Sequence, residues 1–275
     1  MPDRTAAPID VLLQSLADRA IFELGHVLQQ GMPVSPNHPP FQMALLRRHG
    51  DVLRPDGGSA ANELITTGGH TGTHVDALAH VSQDGMLYGA VPAKTIEGAH
   101  GFRRLGVDTM SPILCRGVLL DIAAVLGVSA LDPGYEVTVG DLEAAERLTG
   151  LAVGAGDAAL IRTGWSSYFQ DADRFIGMKS GTPGPGPEAA QWLADRKVRV
   201  AGAETIAFEV TRPGAGHRTL PAHRILLVEN GINIIEVMDL STMAAAECYG
   251  AMFIALPLRI RGATGSPIRP VAIGP

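Results

Sequence analysis

Five apolar runs constrain the fold before any single residue does. Segments 117–122, 158–162, 198–202, 232–237 and 252–260 are alternating or continuous apolar runs that read as strands. Several of them read as hidden on both faces, as in a parallel sheet covered by helices. Helical patterns fall between and before them. They cover 11–19; 141–148, with Thr138 as N-cap; 187–195, with Pro187 in the first turn; and 222–229, closed by Asn230-Gly231. The order is mixed α/β. A chain of 275 residues in this class reads as one domain over 1–275, with a boundary near Gly181 as the second reading on length alone. The Pro- and Gly-rich stretches 31–40 and 181–187 are short and lie between packed elements, so they read as ordered loops.

Composition removes several function classes. No stretch approaches the roughly 20 apolar residues of a membrane helix. The opening Met1-Pro2-Asp3-Arg4 leads into a segment broken by Asp10, Gln14, Asp18 and Arg19, so no signal-peptide core is expected and a cytoplasmic location is. Cys115 and Cys248 make neither a disulfide framework nor a metal pair, and both are expected as small buried hydrophobes in a reducing compartment. A net charge of -6, with Arg103-Arg104 too short to make a basic patch, argues against a nucleic-acid partner. Gly164-Trp165-Ser166-Ser167 lacks the glycine that a serine nucleophile elbow places two residues after the serine. The glycine-rich stretch 181–186 matches no nucleotide-binding pattern.

Chemistry concentrates in Gly69-His70-Thr71-Gly72-Thr73-His74-Val75-Asp76-Ala77-Leu78-Ala79-His80, which sets three of nine histidines and a carboxylate within eleven positions. Gly68, Gly69 and Gly72 oppose a helix. An extended segment entering a bend would let His70 and His74 converge, and extended backbone turns His74 and Asp76 to one face. Two imidazoles and a carboxylate suit zinc or manganese and leave coordination positions for water and substrate. His80 has two readings, ligand or acceptor of a proton from water, and the second is preferred.

These residues resemble the cyclase-type metal hydrolases, the family of bacterial kynurenine formamidases and isatin hydrolases, whose signature runs H-x-G-T-H-x-D-x-P-x-H. Every metal-binding and catalytic position of the signature is filled; Leu78 and Ala79 depart from its proline-containing portion. The similarity continues through 159–165, Leu220-Pro221-Ala222-His223, Ile235-Glu236 and 262–269. It implies a compact α/β fold of the swivelling β/β/α type, with a mixed sheet partly closed into a barrel and helices outside. It implies His70, His74 and Asp76 around one divalent ion, and Asp76, His223 and Glu236 around a second where two are held.

The resemblance further implies hydrolysis of a small amide, ester or lactone, with His80 passing a proton from water to the leaving group. A metal-dependent lyase or cyclase acting on a carbonyl compound is the first rival, separable by water incorporation into product; a non-catalytic binding protein is the second. In the formamidase branch a tryptophan of an N-terminal loop stacks on the substrate. Ser35 occupies that position here, which weakens a kynurenine assignment and leaves Ser35, His38 and Phe41 as the expected substrate-binding residues. Glu204 is expected to orient a ligand histidine from behind, and His217 is expected on the surface. The family forms dimers or tetramers, so a homo-oligomer is expected, with no nucleic acid and no membrane as partner.

Overall fold

The computed structural model describes residues 8–274, so the opening Met1 to Arg4 lies outside the described residues. A nine-stranded sheet organises them. Its spatial order is Ile21–Glu23, Val271–Ile273, Gly250–Ala255, Ile113–Asp121, Ala158–Arg162, Val200–Ala203, Asn233–Glu236, His74–Asp76 and Gly265–Pro267. The four strands from Ile113–Asp121 to Asn233–Glu236 run parallel, and every pairing outside that block is antiparallel. The sheet curls into a half-barrel with helices against it, as expected.

The apolar runs are continuous because both sides of these strands are buried. Val118, Leu120, Ala159, Ile161, Ala201 and Ile234 face one apolar cluster, shared with the helices Val139–Thr149 and Pro187–Asp195. Their alternates Leu119, Ala158, Leu160, Val200 and Ile235 face a second cluster, filled by Val75, Met238, Phe253 and Ala272. Each fully buried leucine contributes about 1.5–3 kcal/mol relative to exposure. The helix Val139–Thr149 begins where expected: Thr138 accepts from the Asp141 amide while Asp141 accepts from the Thr138 amide, a reciprocal capping box.

Other boundaries moved. The 252–260 run is a strand only over Gly250–Ala255, since Pro257 cannot donate to a ladder, and Leu256, Leu258 and Ile260 are exposed beyond it. The 222–229 helix is a single α-turn, Pro221–His223, followed by a wider π-turn, Arg224–Glu229, with Asn230 Nδ2 donating to the Ile225 carbonyl. Cys248 is buried as expected, whereas Cys115 is only half-buried. A hairpin of Gln42–Arg47 with Asn62–Thr66, absent from the sequence reading, has every residue exposed, including Met43, Leu45, Leu46, Leu64 and Ile65. Among the described residues, no helix is long and apolar enough to cross a membrane.

Candidate metal centre

The metal motif enters the sheet as an interior strand. Gly72 takes φ +67°, a left-handed conformation that turns the chain between His70 and the strand His74–Asp76. That strand is paired on both sides. Glu236 stands opposite His74 on one neighbour, and Gly265 stands opposite Asp76 on the other. Register therefore delivers Glu236 to the motif from 160 positions away. Asn233 Nδ2 donates to the Asp76 carbonyl at 2.8 Å and ties the two strands together near the site.

Hydrogen bonds fix the rings of His74 and His223 through Nδ1 and that of His70 through both nitrogens. His74 Nδ1 lies 2.8 Å from the Gly72 carbonyl, which only accepts, so Nδ1 carries the proton. His74 Nε2 then faces Asp76 Oδ1 at 3.5 Å and Glu236 Oε2 at 3.3 Å. His223 repeats the arrangement: Nδ1 lies 2.7 Å from Glu209 Oε1, and Nε2 faces Glu236 Oε1 at 3.1 Å and Asp76 Oδ2 at 3.5 Å. His70 Nδ1 lies 2.7 Å from Asp76 Oδ1, with its Nε2 2.9 Å from Thr264 Oγ1.

This donor set calls for positive charge at its centre. Nε2 of His74 and of His223 each face two buried carboxylates, and a lone pair does not satisfy a carboxylate, so either a proton on each ring or a cation must sit between them. Asp76 Oδ2 is buried with no hydrogen-bond partner. The electrostatics agree. Burial opposes charge on His223 and His74, yet the surrounding carboxylates raise both pKa values, His223 far above its ordinary range. Burial likewise opposes ionisation of Glu236, but His223 and His74 hold its carboxyl down at about 2. Two groups place three ligand atoms within 4.8 Å of one another: His70, His74 and Asp76, and Asp76, His80 and His223. The residues fit a divalent cation.

His80 stacks on His70 with ring centroids 3.9 Å apart. Burial lowers its pKa to about 4 against the pull of Asp76, so its imidazole is neutral at pH 7. The His38 ring lies 5.1 Å from that of His70 and 6.4 Å from that of His80, and Ser35 is buried in the same loop.

Three expectations need correction. Phe41 turns inward and packs with Met32, Trp165, Phe169 and Phe175, so it anchors the loop instead of lining a substrate pocket. Glu204 touches no ligand histidine. Its Oε2 accepts from the Thr163 amide at 2.8 Å, the Thr163 hydroxyl at 3.0 Å and the Trp165 amide at 3.1 Å, which pins the end of the strand Ala158–Arg162. Glu209 holds the position expected of Glu204: besides His223 Nδ1, it accepts from the amides of Ala222 and His223, each at 2.9 Å. The left-handed Phe208, at φ +57°, immediately precedes it and redirects the chain there. His217, expected on the surface, is half-buried near Glu236, His223 and Glu209. Thr264, unremarked in the sequence, completes the contacts of His70.

Residues 22–210 match the family model described as "Putative cyclase". The chain is 30% identical to the isatin hydrolase of Roseibium aggregatum over 223 residues, which cover 80% of this chain and 77% of that protein. A crystal structure of a novel cyclase superposes with a TM-score of 0.84 at 29% identity, covering 97% of this chain and 91% of the other. Isatin hydrolase A from Ralstonia solanacearum superposes with a TM-score of 0.77 at 26% identity over the whole of both chains. With the motif, the sheet and the histidine–carboxylate centre all in place, the chain belongs to the cyclase family.

Proposed function

We propose that the protein is a metal-dependent hydrolase that cleaves a small amide, ester or lactone at a centre built from His70, His74, Asp76, His223 and Glu236. The observation that carries this reading is the convergence of two Nε2 atoms, of His74 and His223, on two buried carboxylates beside a neutral His80. A divalent cation bound there supplies Lewis acidity to a carbonyl and lowers the pKa of water toward about 7. Imidazole and carboxylate ligands accept zinc and manganese alike, and Asp76, common to both ligand groups, allows one ion or two. His80, close enough to Asp76 and His223 to be a ligand, is better used as the proton carrier: its free lone pair takes the proton of the attacking water and returns it to the leaving amine or alkoxide. Such proton transfer is worth about two to four orders of magnitude in rate. His38 and Ser35 border the reaction from the N-terminal loop.

We also infer that a second copy of the chain covers the exposed hairpin. A two-stranded hairpin is marginal alone in water, and apolar residues on such an arm call for a partner surface.

Metal analysis and turnover test the reading together. Protein purified without added metal should carry zinc or manganese, lose it in His74→Ala, and open amides or lactones such as isatin with incorporation of solvent oxygen. His80→Gln should keep the metal and lose at least about a hundredfold in kcat. Wild type that binds neither ion after incubation with both would sink the proposal.

A further inference from the structure

Beside the metal centre lies a cavity of about 260 Å³, lined by Ser35, Pro36, Asn37, Met178, His217 and Arg218 together with the backbone of 215–216. Both of its walls lead to the metal residues. Ser35 and Asn37 belong to the loop that carries His38, whose ring lies 5.1 Å from that of His70. On the opposite wall, His217 is half-buried and close enough to feel the charges of Glu236, His223 and Glu209.

The only charged side chain in the lining is cationic. The lining offers a hydroxyl, a carboxamide, an imidazole and a guanidinium, and it contains no carboxylate. Other cations close by in sequence are engaged: Arg212 pairs with Glu136, and Arg224 pairs with Glu229. The Arg218 guanidinium makes no hydrogen bond or ion pair among the described residues, although its backbone amide is held by the Ala215 carbonyl. The cavity thus joins several groups able to donate to an exposed arginine whose guanidinium is unpaired among the described residues. The planar guanidinium matches a carboxylate in paired hydrogen bonds.

We infer that this cavity receives an anionic group of the substrate, a carboxylate in its simplest form, and that Arg218 selects it. The assignment rests on the hydrolase reading for the reaction but on the cavity alone for the anion. The substrate class is then an amide, ester or lactone with a carboxylate displaced from the scissile carbonyl by the distance between the cavity and the metal centre. Arg218 acts on specificity and leaves the chemistry to the centre.

Two fluorescent probes of one shape test it: 2-aminobenzoate, which carries the anion, and 2-aminobenzamide, which does not. Each is titrated against metal-loaded and chelator-stripped protein. Wild type should prefer the carboxylate by about tenfold in both forms. Arg218→Ala should bring the two probes within about twofold, and Arg218→Lys should retain part of the preference. Equal binding of both probes to wild type, or a preference untouched by Arg218→Ala, overturns the inference. Turnover is read separately on 2-formamidobenzoate and formanilide. If neither is hydrolysed while the probe preference persists, the hydrolase reading suffers and the anion site stands. If they are hydrolysed while the probes bind equally, the anion site falls alone.

Discussion

His223 and Glu209 are joined twice: Glu209 Oε1 lies 2.7 Å from His223 Nδ1 and 2.9 Å from the backbone nitrogen of the same residue. One carboxylate oxygen thereby sets both the start of the turn that carries His223 and the rotation of its ring. Glu209→Ala should weaken metal binding about ten- to a hundredfold, the usual effect of losing a group that orients a ligand. It should also lower stability by about 1–3 kcal/mol, because buried amides lose their acceptor. Glu209→Gln, whose one oxygen can still accept from His223 while its NH2 faces the Ala222 amide, should recover much of the affinity but only part of the stability. Competition with a chromophoric chelator measures the affinity, and an unchanged value in the alanine variant would remove Glu209 from the site.

Gly265 faces the ring of His70 so closely that a Cβ there would sit 2.8 Å from Nδ1 and 2.9 Å from Nε2. Gly265→Ala must therefore displace the imidazole. We expect loss of tightly held metal with the sheet intact, seen as normal far-ultraviolet circular dichroism beside a metal content well below wild type. Retention of full metal content would mean that His70 is dispensable as a ligand.

His26 supplies a pH dependence separate from the metal. Its ring stacks on Phe169 at 3.7 Å, its Nε2 is buried without a partner, and burial lowers its pKa despite the opposing pull of Asp239. The folded pKa is below the unfolded one, so the unfolded chain takes up the proton first as pH falls. Stability is therefore lost as pH falls below about 6.5, the unfolded value, toward the lower folded one. His26→Phe, which preserves the stack, should flatten the fall in Tm between pH 7 and pH 5 relative to wild type at saturating metal. Parallel profiles for the two proteins would refute this account.

The uncovered hairpin makes a prediction about assembly. Leu46→Glu and Ile65→Glu place charges where apolar side chains are exposed on the arm. If a second copy covers that arm, these variants should sediment as monomers while wild type sediments as a dimer or larger. A monomeric wild type would leave the arm unexplained by self-association.

The metal motif was legible because its ligands are packed within eleven residues, where strand periodicity alone orients His74 and Asp76. Glu236 and His223 came from resemblance, and register explains them: Glu236 meets His74 because their strands are neighbours, a relation that no local pattern encodes. Glu204 and Glu209 sit five residues apart after the same apolar run, and the choice between them turns on the left-handed Phe208, which sequence does not announce. Phe41 failed as a pocket residue because an aromatic side chain fits a core and a cavity equally well on paper. The hairpin is not signalled by binary patterns because its apolar residues are all exposed and belong to no core.

Because the strand His74–Asp76 is hydrogen-bonded on both flanks, the reactive centre inherits the stiffness of the sheet, whereas Ser35, His38, His217 and Arg218 ride on connecting loops. Inheritance and innovation are thus physically partitioned. On the proposed reading, substitutions in 33–41 or 211–220 retune which molecules are accepted while the sheet keeps the ligands in place, so selectivity and reactivity can change independently.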